Sequence, residues 1–287
     1  MSFRIRLLLV LAACCELIWT CWCWTHPPVP VLLFHAVEEG GGPLAFWTLT
    51  PRQFREILDR VQRLGFRTID DQQLIGAFSS FRGYDRLAVL TFDDGLASHR
   101  DCVAPELASR NMRGVFFVTR RAGTGRLSEA DVQALAKAGH AIGSHSATHG
   151  PLLSRPGEPG PGFQSRLVRE MAFPRAQLRR LVGHTILSFA YPGGEVSLEA
   201  QEMARTSGYR LAFTADYGSP SPWTDRMLLP RNLLFSDATP GAVERYMTEP
   251  LFWLRIRAAV DIVAVALLLV YLSMAPPRRS LARNGDS

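Results

Sequence analysis

The stretch Leu87-Ala88-Val89-Leu90-Thr91-Phe92-Asp93-Asp94-Gly95 decides how the chain is read. An apolar run of strand length ends in two adjacent carboxylates and a glycine. Successive side chains on a strand point to opposite faces. Asp93 and Asp94 therefore serve one site only if the chain leaves the strand there, and Gly95 permits that turn. Two carboxylates held together repel. A cation bound to one keeps it ionised and leaves the other free for proton transfer. The plainer reading of the same residues is an Asp-Gly turn after a buried strand.

Outward from this stretch, strand and helix alternate. Upstream, Val31 to Phe34 reads as a buried strand ending at His35. Thr50-Pro51 opens a helix, with Thr50 as N-cap and Pro51 at the first position. Phe54, Ile57, Leu58 and Val61 keep helical spacing, and Gly65 stops the helix. A short strand over 66–69 and a helix over 71–78 follow. Downstream, the pattern predicts a helix over 99–110, a strand over 114–119, and a helix over 129–138 capped by Ser128. A strand over 141–144 comes next, then a helical stretch over 163–181 that Pro174 should kink or split. The series ends with a strand over 186–191, a helix over 198–207 and a strand over 209–214. This alternation predicts a parallel sheet, open or closed into a barrel. His35, Asp93, Asp94, His145 and Tyr191 all fall at strand C-terminal ends, where parallel α/β folds place their sites.

Gly143-Ser144-His145-Ser146-Ala147-Thr148-His149-Gly150-Pro151 is the second strong signal. Residues i and i+4 share one face of a helical turn, so His145 and His149 can bind one metal. Asp94 with these two histidines gives two imidazoles and one carboxylate, leaving positions open for water and substrate. Non-heme iron sites use the same set, so ligand type alone does not choose the metal.

The 287 residues carry a formal charge of +6, with 47% hydrophobic and 20% charged residues. That composition describes a globular or membrane-attached chain and excludes a disordered one. Without zinc-finger spacing or a sustained Lys/Arg tract, no nucleic-acid partner is expected. Cys14, Cys15, Cys21 and Cys23 lie in the N-terminal apolar segment and only Cys102 lies in the body, which excludes a disulfide framework inside the domain.

Arg4 and Arg6 precede an apolar run from Leu7 to Trp24 interrupted by Glu16. As a helix it would reach roughly 27 Å, close to a bilayer core. Residues 1–25 thus read as a signal anchor or a signal peptide. Leu11-Ala12-Ala13-Cys14 also resembles a lipoprotein cleavage box. Residues 26–245 form the expected catalytic domain. Residues 251–274 read as a transmembrane or interfacial helix interrupted by Arg255, Arg257 and Asp261, and 275–287 as a basic tail. If both apolar segments span, both termini are cytoplasmic and the domain lies on the extracytoplasmic side.

At this point the chain resembles the polysaccharide deacetylases of the NodB-homology group, carbohydrate esterase family 4, over roughly residues 28–237. In style it is nearest to the poly-N-acetylglucosamine deacetylases. The resemblance rests on Val31 to His35, Thr91 to Gly95, His145-Ser146-x-x-His149, and Phe189-Ala190-Tyr191-Pro192-Gly193-Gly194. It implies a distorted (β/α) barrel with fewer strands than eight, to which the apolar runs at 7–24 and 251–274 would add N- and C-terminal membrane helices. It implies Asp93 as base, Asp94, His145 and His149 as ligands of a divalent metal, taken as Zn2+, and Gly193 N–H as oxyanion donor. The implied reaction removes N-acetyl groups from N-acetylglucosamine residues of a cell-envelope or extracellular polysaccharide. Two positions depart from the family pattern. Ala190 stands where many members carry an arginine that orients the base, and Arg231 is either its substitute or a solvated loop residue. No late Leu-x-His motif exists, since His184 is the last histidine. His35 either supplies the missing acid or only supports the site. A non-catalytic glycan-binding subunit of a polysaccharide assembly system, or an O-acetyl esterase, are the alternatives.

Overall fold

Strands alternate with helices from Val31 to Leu233 in a computed structural model, which describes residues 3–40, 45–120 and 123–274. The order is α1 (Phe3–Thr25), β1 (Val31–Phe34), β2 (Ala36–Val37), β3 (Thr48–Leu49), α2 (Pro51–Arg63), β4 (Arg67–Thr68), α3 (Asp71–Ser79) and β5 (Leu87–Phe92). There follow α4 (Ala104–Ser109), β6 (Val115–Val118), α5 (Glu129–Lys137), β7 (Ala141–Ser144), α6 (Gly160–Leu167), α7 (Phe173–Val182) and β8 (Ser188–Ala190). The chain closes with α8 (Leu198–Thr206), β9 (Leu211–Phe213), β10 (Asn232–Leu233) and α9 (Pro240–Met274). The basic tail at 275–287 lies outside the described residues.

Local chemistry sets the helix starts. Thr50, Asp70 and Ser128 each close a capping box, with Gln53, Gln73 and Asp131 reaching back to the cap N–H. Pro174 does split the stretch after Pro159: α6 and α7 are separated by a π-helical segment, Val168–Ala172.

The main sheet is parallel throughout, in the order β10-β1-β5-β6-β7-β8-β9, with β4 also paired to β5. One short segment joins its two edges. Leu229 N–H donates to Ala212 O and Leu229 O accepts from Thr214 N–H, both at 2.9 Å, on the β9 side. Three residues later, Asn232 and Leu233 pair with Leu32 and Leu33 of β1. The strands thus curl into a distorted (β/α) barrel whose seam is residues 229–233. Alternating side chains fill its lumen, among them Val31, Val89, Phe117, Ala190, Leu211 and Phe213. Leu74 and Phe78 of α3 join the same cluster and plug the N-terminal end of the strands. The opposite faces of the strands pack against α2, α4, α5 and α7 in a second layer.

α1 and α9 leave the barrel side by side. Among the described residues, Leu7–Thr25 is the stretch long and apolar enough to cross a bilayer. The sequence places the C-terminal helix at 251–274, whereas α9 begins at Pro240 and runs through Pro250 without a break.

Asp71 opens α3 and is buried against the lumen, where its carboxylate accepts from Ser188 Oγ at 2.5 Å. Burial pushes its carboxyl up to about 6. The folded state therefore holds this proton more tightly than the unfolded chain does. Its contribution to stability is present in full below the ordinary carboxylate range and is lost as pH rises through about 6. Asp71→Asn is expected to leave Tm near its wild-type value at pH 4 and to raise it by a few degrees at pH 7.5. Thermal melts across that range check this, and an Asn variant that melts lower at pH 7.5 refutes it.

Candidate active site

β5 delivers both carboxylates to the C-terminal mouth of the barrel. Asp93 is still in strand register, its N–H donating to Phe34 O of β1 at 3.0 Å, so its side chain faces the lumen. The chain then turns sharply, with Asp94 at φ +78° and Gly95 at φ +63°. That turn brings the second carboxylate to the same mouth. A side chain at Gly95 would press on Val118 as well as strain the backbone. Arg126 Nη1 donates to Asp94 O and holds the left-handed residue in place.

The two histidines come from the end of β7. His145 Nδ1 donates to Ala190 O at 2.8 Å, which turns the lone pair of Nε2 toward Asp94. The sequence reading places His145 and His149 on one face of a helical turn. The structure instead has a loop, with Ser146 at φ +66° and His149 at φ +61°. Ser146 Oγ accepts from His149 N–H at 2.9 Å and folds the loop back on itself. Glu170, on the π-helical segment, clamps it from behind: Oε2 accepts from Ala147 N–H at 3.1 Å and Thr148 N–H at 2.9 Å, and Oε1 from Thr148 Oγ1 at 2.9 Å.

Asp94 Oδ1 lies 3.2 Å from His149 Nε2 and 3.7 Å from His145 Nε2, and the three ligand atoms all sit within 4.8 Å of one another. A tetrahedral cation with bonds of about 2.0–2.1 Å spaces its donors about 3.4 Å apart, so this set fits such an ion. His145 is buried and His149 about a third exposed, which leaves one open side.

Asp93 stands beside this cluster, its Oδ2 3.7 Å from His145 Nε2. Arg231 grips it with two parallel hydrogen bonds, Nη1 to Oδ1 and Nη2 to Oδ2, each 2.9 Å. Arg231 is itself fully buried in the seam, donates from Nε to Thr214 O at 2.7 Å, and lies over Phe117 and Phe213. Burial alone would raise the Asp93 carboxyl. The charges of Arg231 and His145 and the Arg231 hydrogen bonds outweigh it and hold that carboxyl well below the usual carboxylate range. Arg231 is thus no solvated loop residue.

These groups open into a cavity of about 220 Å³ walled also by His35, Trp47, Tyr191 and Gly193. His35 is pulled below its ordinary value, chiefly by burial. Its ring packs 5.0 Å from Trp47, and His99 donates Nε2–H to its carbonyl at 3.0 Å. Gly193 lines the cavity at φ +65°. The adjacent Gly194 N–H is spent on Tyr191 O, and a Cβ on Gly194 would come within 2.5 Å of Ala215. Glu170, Arg126 and Trp47 are absent from the sequence reading. Their partners lie far along the chain; only Pro174, which marks the break beside Glu170, hints at any of them.

Residues 82–212 match the sequence profile described as polysaccharide deacetylase. That span holds Asp93, Asp94, His145, His149 and Gly193, and leaves His35 and Arg231 outside. No curated protein sequence matches the chain. Among solved structures, the chain is similar to the Streptococcus pyogenes deacetylase PplD in complex with acetate, at TM-score 0.70 and 18% identity over 77% of this chain and 99% of that one. It is similar to IcaB from Ammonifex degensii, at TM-score 0.65 and 24% identity over 78% and 97%. It is also similar to the BpsB deacetylase domain from Bordetella bronchiseptica, at TM-score 0.61 and 23% identity over 72% and 95%. At these identities the likeness is one of fold.

Glu170→Gln keeps the size of the clamp and removes one of its charged acceptors. The variant is expected to bind Zn2+ at least tenfold more weakly by calorimetry, with the Tm of the metal-free protein within a few degrees of wild type. Wild-type affinity in the variant would show that the clamp does not set the geometry of the cluster.

Proposed function

We propose that the chain is a polysaccharide deacetylase of the NodB-homology type and that it hydrolyses N-acetyl groups of N-acetylglucosamine residues in a cell-envelope or extracellular polysaccharide. The observation that carries this reading is the convergence of Asp94, His145 and His149, with Asp93 beside them in the grip of Arg231.

Asp94, His145 and His149 would hold a divalent cation, taken as Zn2+, which when bound supplies Lewis-acid activation of a water and of the acetyl carbonyl. The chain's own residues do the rest. Asp93 takes the proton of the attacking water as its oxygen bonds to the carbonyl carbon. Arg231 keeps that base ionised and fixed in direction. Gly193 N–H is assigned to the oxyanion that develops on the carbonyl oxygen. When the carbon–nitrogen bond breaks, Asp93 returns the proton to the leaving nitrogen, giving acetate and a free amine. Burial works against a charged His35 and its ring packs 5.0 Å from Trp47, so we assign it to supporting Trp47 and the cavity wall.

The cavity of about 220 Å³ is assigned to one acetylated sugar at the reacting position. The protein is read as membrane-anchored, with the domain on the extracytoplasmic side, because Arg4 and Arg6 precede the one described stretch that passes for a span.

The detergent-solubilised full chain is expected to release acetate from N-acetylglucosamine oligomers, to lose that activity to a chelator and to regain it with Zn2+. Asp93→Asn is expected to lower kcat at least a hundredfold while oligomer binding survives. Wild-type binding without turnover would favour a glycan-binding subunit. Faster acetate release from O-acetylated than from N-acetylated oligomers would overturn the amide reading.

A further inference from the structure

The apolar hairpin and the catalytic mouth occupy opposite ends of the barrel. α1 runs into the N-terminal end of β1, and its last residue is tied to the loop before β5: Thr25 O accepts from Tyr84 N–H at 2.9 Å, and His26 Nε2 meets Ser80 O at 3.2 Å. α9 descends along α2 on the barrel wall and continues beside α1, where Thr20 Oγ1 donates to Asp261 Oδ2 at 3.1 Å and Arg257 pairs with the same carboxylate. The metal-ligating cluster lies at the C-terminal ends of β5 and β7. β5 spans about 20 Å, and the α3 plug adds a helix layer of about 10 Å beneath it. With strands tilted by about 40° the barrel is about 15 Å high, so the mouth stands about 25 Å from the root of the hairpin.

The hairpin itself is built for lipid. Beyond Asp261 the described residues of α9 are uncharged, and Val260, Val263, Leu267 and Val270 are exposed, as are Leu8 and Leu11 on α1. A girdle of exposed aromatics rings its root: Trp24 and Trp253 on the helices, and Phe81 and Trp223 on the barrel floor. Such rings sit at the headgroup level of a bilayer. The charges that interrupt α9, Arg255, Arg257 and Asp261, fall at this level, where arginines reach the headgroups and Asp261 has its own partners.

We propose that the paired helices insert into a lipid bilayer as far as the aromatic girdle and hold the catalytic mouth facing away from it, so that the substrate is a polymer segment displaced from the membrane and not a sugar linked directly to a lipid. The choice of substrate position rests on the deacetylase reading; the orientation does not.

The full chain reconstituted in phosphatidylcholine–phosphatidylglycerol vesicles tests both parts. With brominated lipids, Trp253→Phe is expected to remove quenched fluorescence and Trp47→Phe, at the mouth, to remove unquenched fluorescence. An N-acetylglucosamine oligomer joined directly to a lipid in the same vesicle is expected to release acetate at least tenfold more slowly than the free oligomer. A spacer of about 60 Å should restore the rate. Quenching of Trp47, no quenching of any tryptophan, a hairpin that only pairs with a second copy in buffer, or equal rates for the free and directly joined oligomers would each overturn the proposal. Unquenched Trp47 with no acetate release from any oligomer would sink the deacetylase reading and leave the orientation standing.

Discussion

The buried pair of Arg231 and Asp93 is the constraint on which the rest depends. A guanidinium and a carboxylate, both nearly free of solvent, face each other through two 2.9 Å hydrogen bonds. Removing one partner from such a pair typically costs about 3–5 kcal/mol, because the other charge stays buried and uncompensated. Arg231 sits on the segment that stitches β9 to β1, so the contact that orders Asp93 also lies in the seam that closes the barrel. Phe117 of β6 and Phe213 of β9, whose ring centroids are 5.5 Å apart, together form the aromatic bed on which the guanidinium lies. Closure and site geometry are therefore not independent: a barrel with an open seam would lose the orientation of Asp93.

Around that pair the backbone is bent against its preferences. Among the described residues, five that are not glycine have positive φ, and three of them, Asp94, Ser146 and His149, belong to the candidate ligand cluster or its loop. Such positions cost about 1–3 kcal/mol each and persist only where the surroundings over-determine them. Here the surroundings are polar clamps placed on main-chain atoms. Arg126 holds the carbonyl of Asp94, Ser146 Oγ takes the amide of His149, and Glu170 takes the amides of Ala147 and Thr148. A π-helical segment carries Glu170, and the extra residue of its turn aims that side chain at the loop.

What could be read in the sequence was what is local. Apolar runs gave the buried strands, N-caps gave the helix starts at Thr50 and Ser128, and the Asp-Asp-Gly turn with the spaced histidines marked the mouth. Arg231 stood out only as an arginine after Leu229-Pro230, because its partner lies 138 residues away. β10 is two residues long and exists by pairing with β1, so no periodicity could announce it. The histidine spacing suggested a helical turn, yet the same spacing is satisfied by a loop once Glu170 supplies the hydrogen bonds a helix would have made internally. Glu170 itself carries no local signal beyond the break that Pro174 marks, since its role is set by how α6 and α7 pack.

The length of α9 ties the two ends of the molecule together. Its first turns pack on the barrel through Val243 and Met247, and Glu244 pairs with Arg60 of α2. Its later turns pair with α1 through Asp261. Because the helix is continuous across Pro250, no loop intervenes between the wall of the barrel and the hairpin. A jointed connection would let the mouth swing toward a surface that holds the hairpin. A helix packed on the barrel wall at one end and on α1 at the other does not, so the direction of the candidate site follows from the same packing that builds the barrel wall.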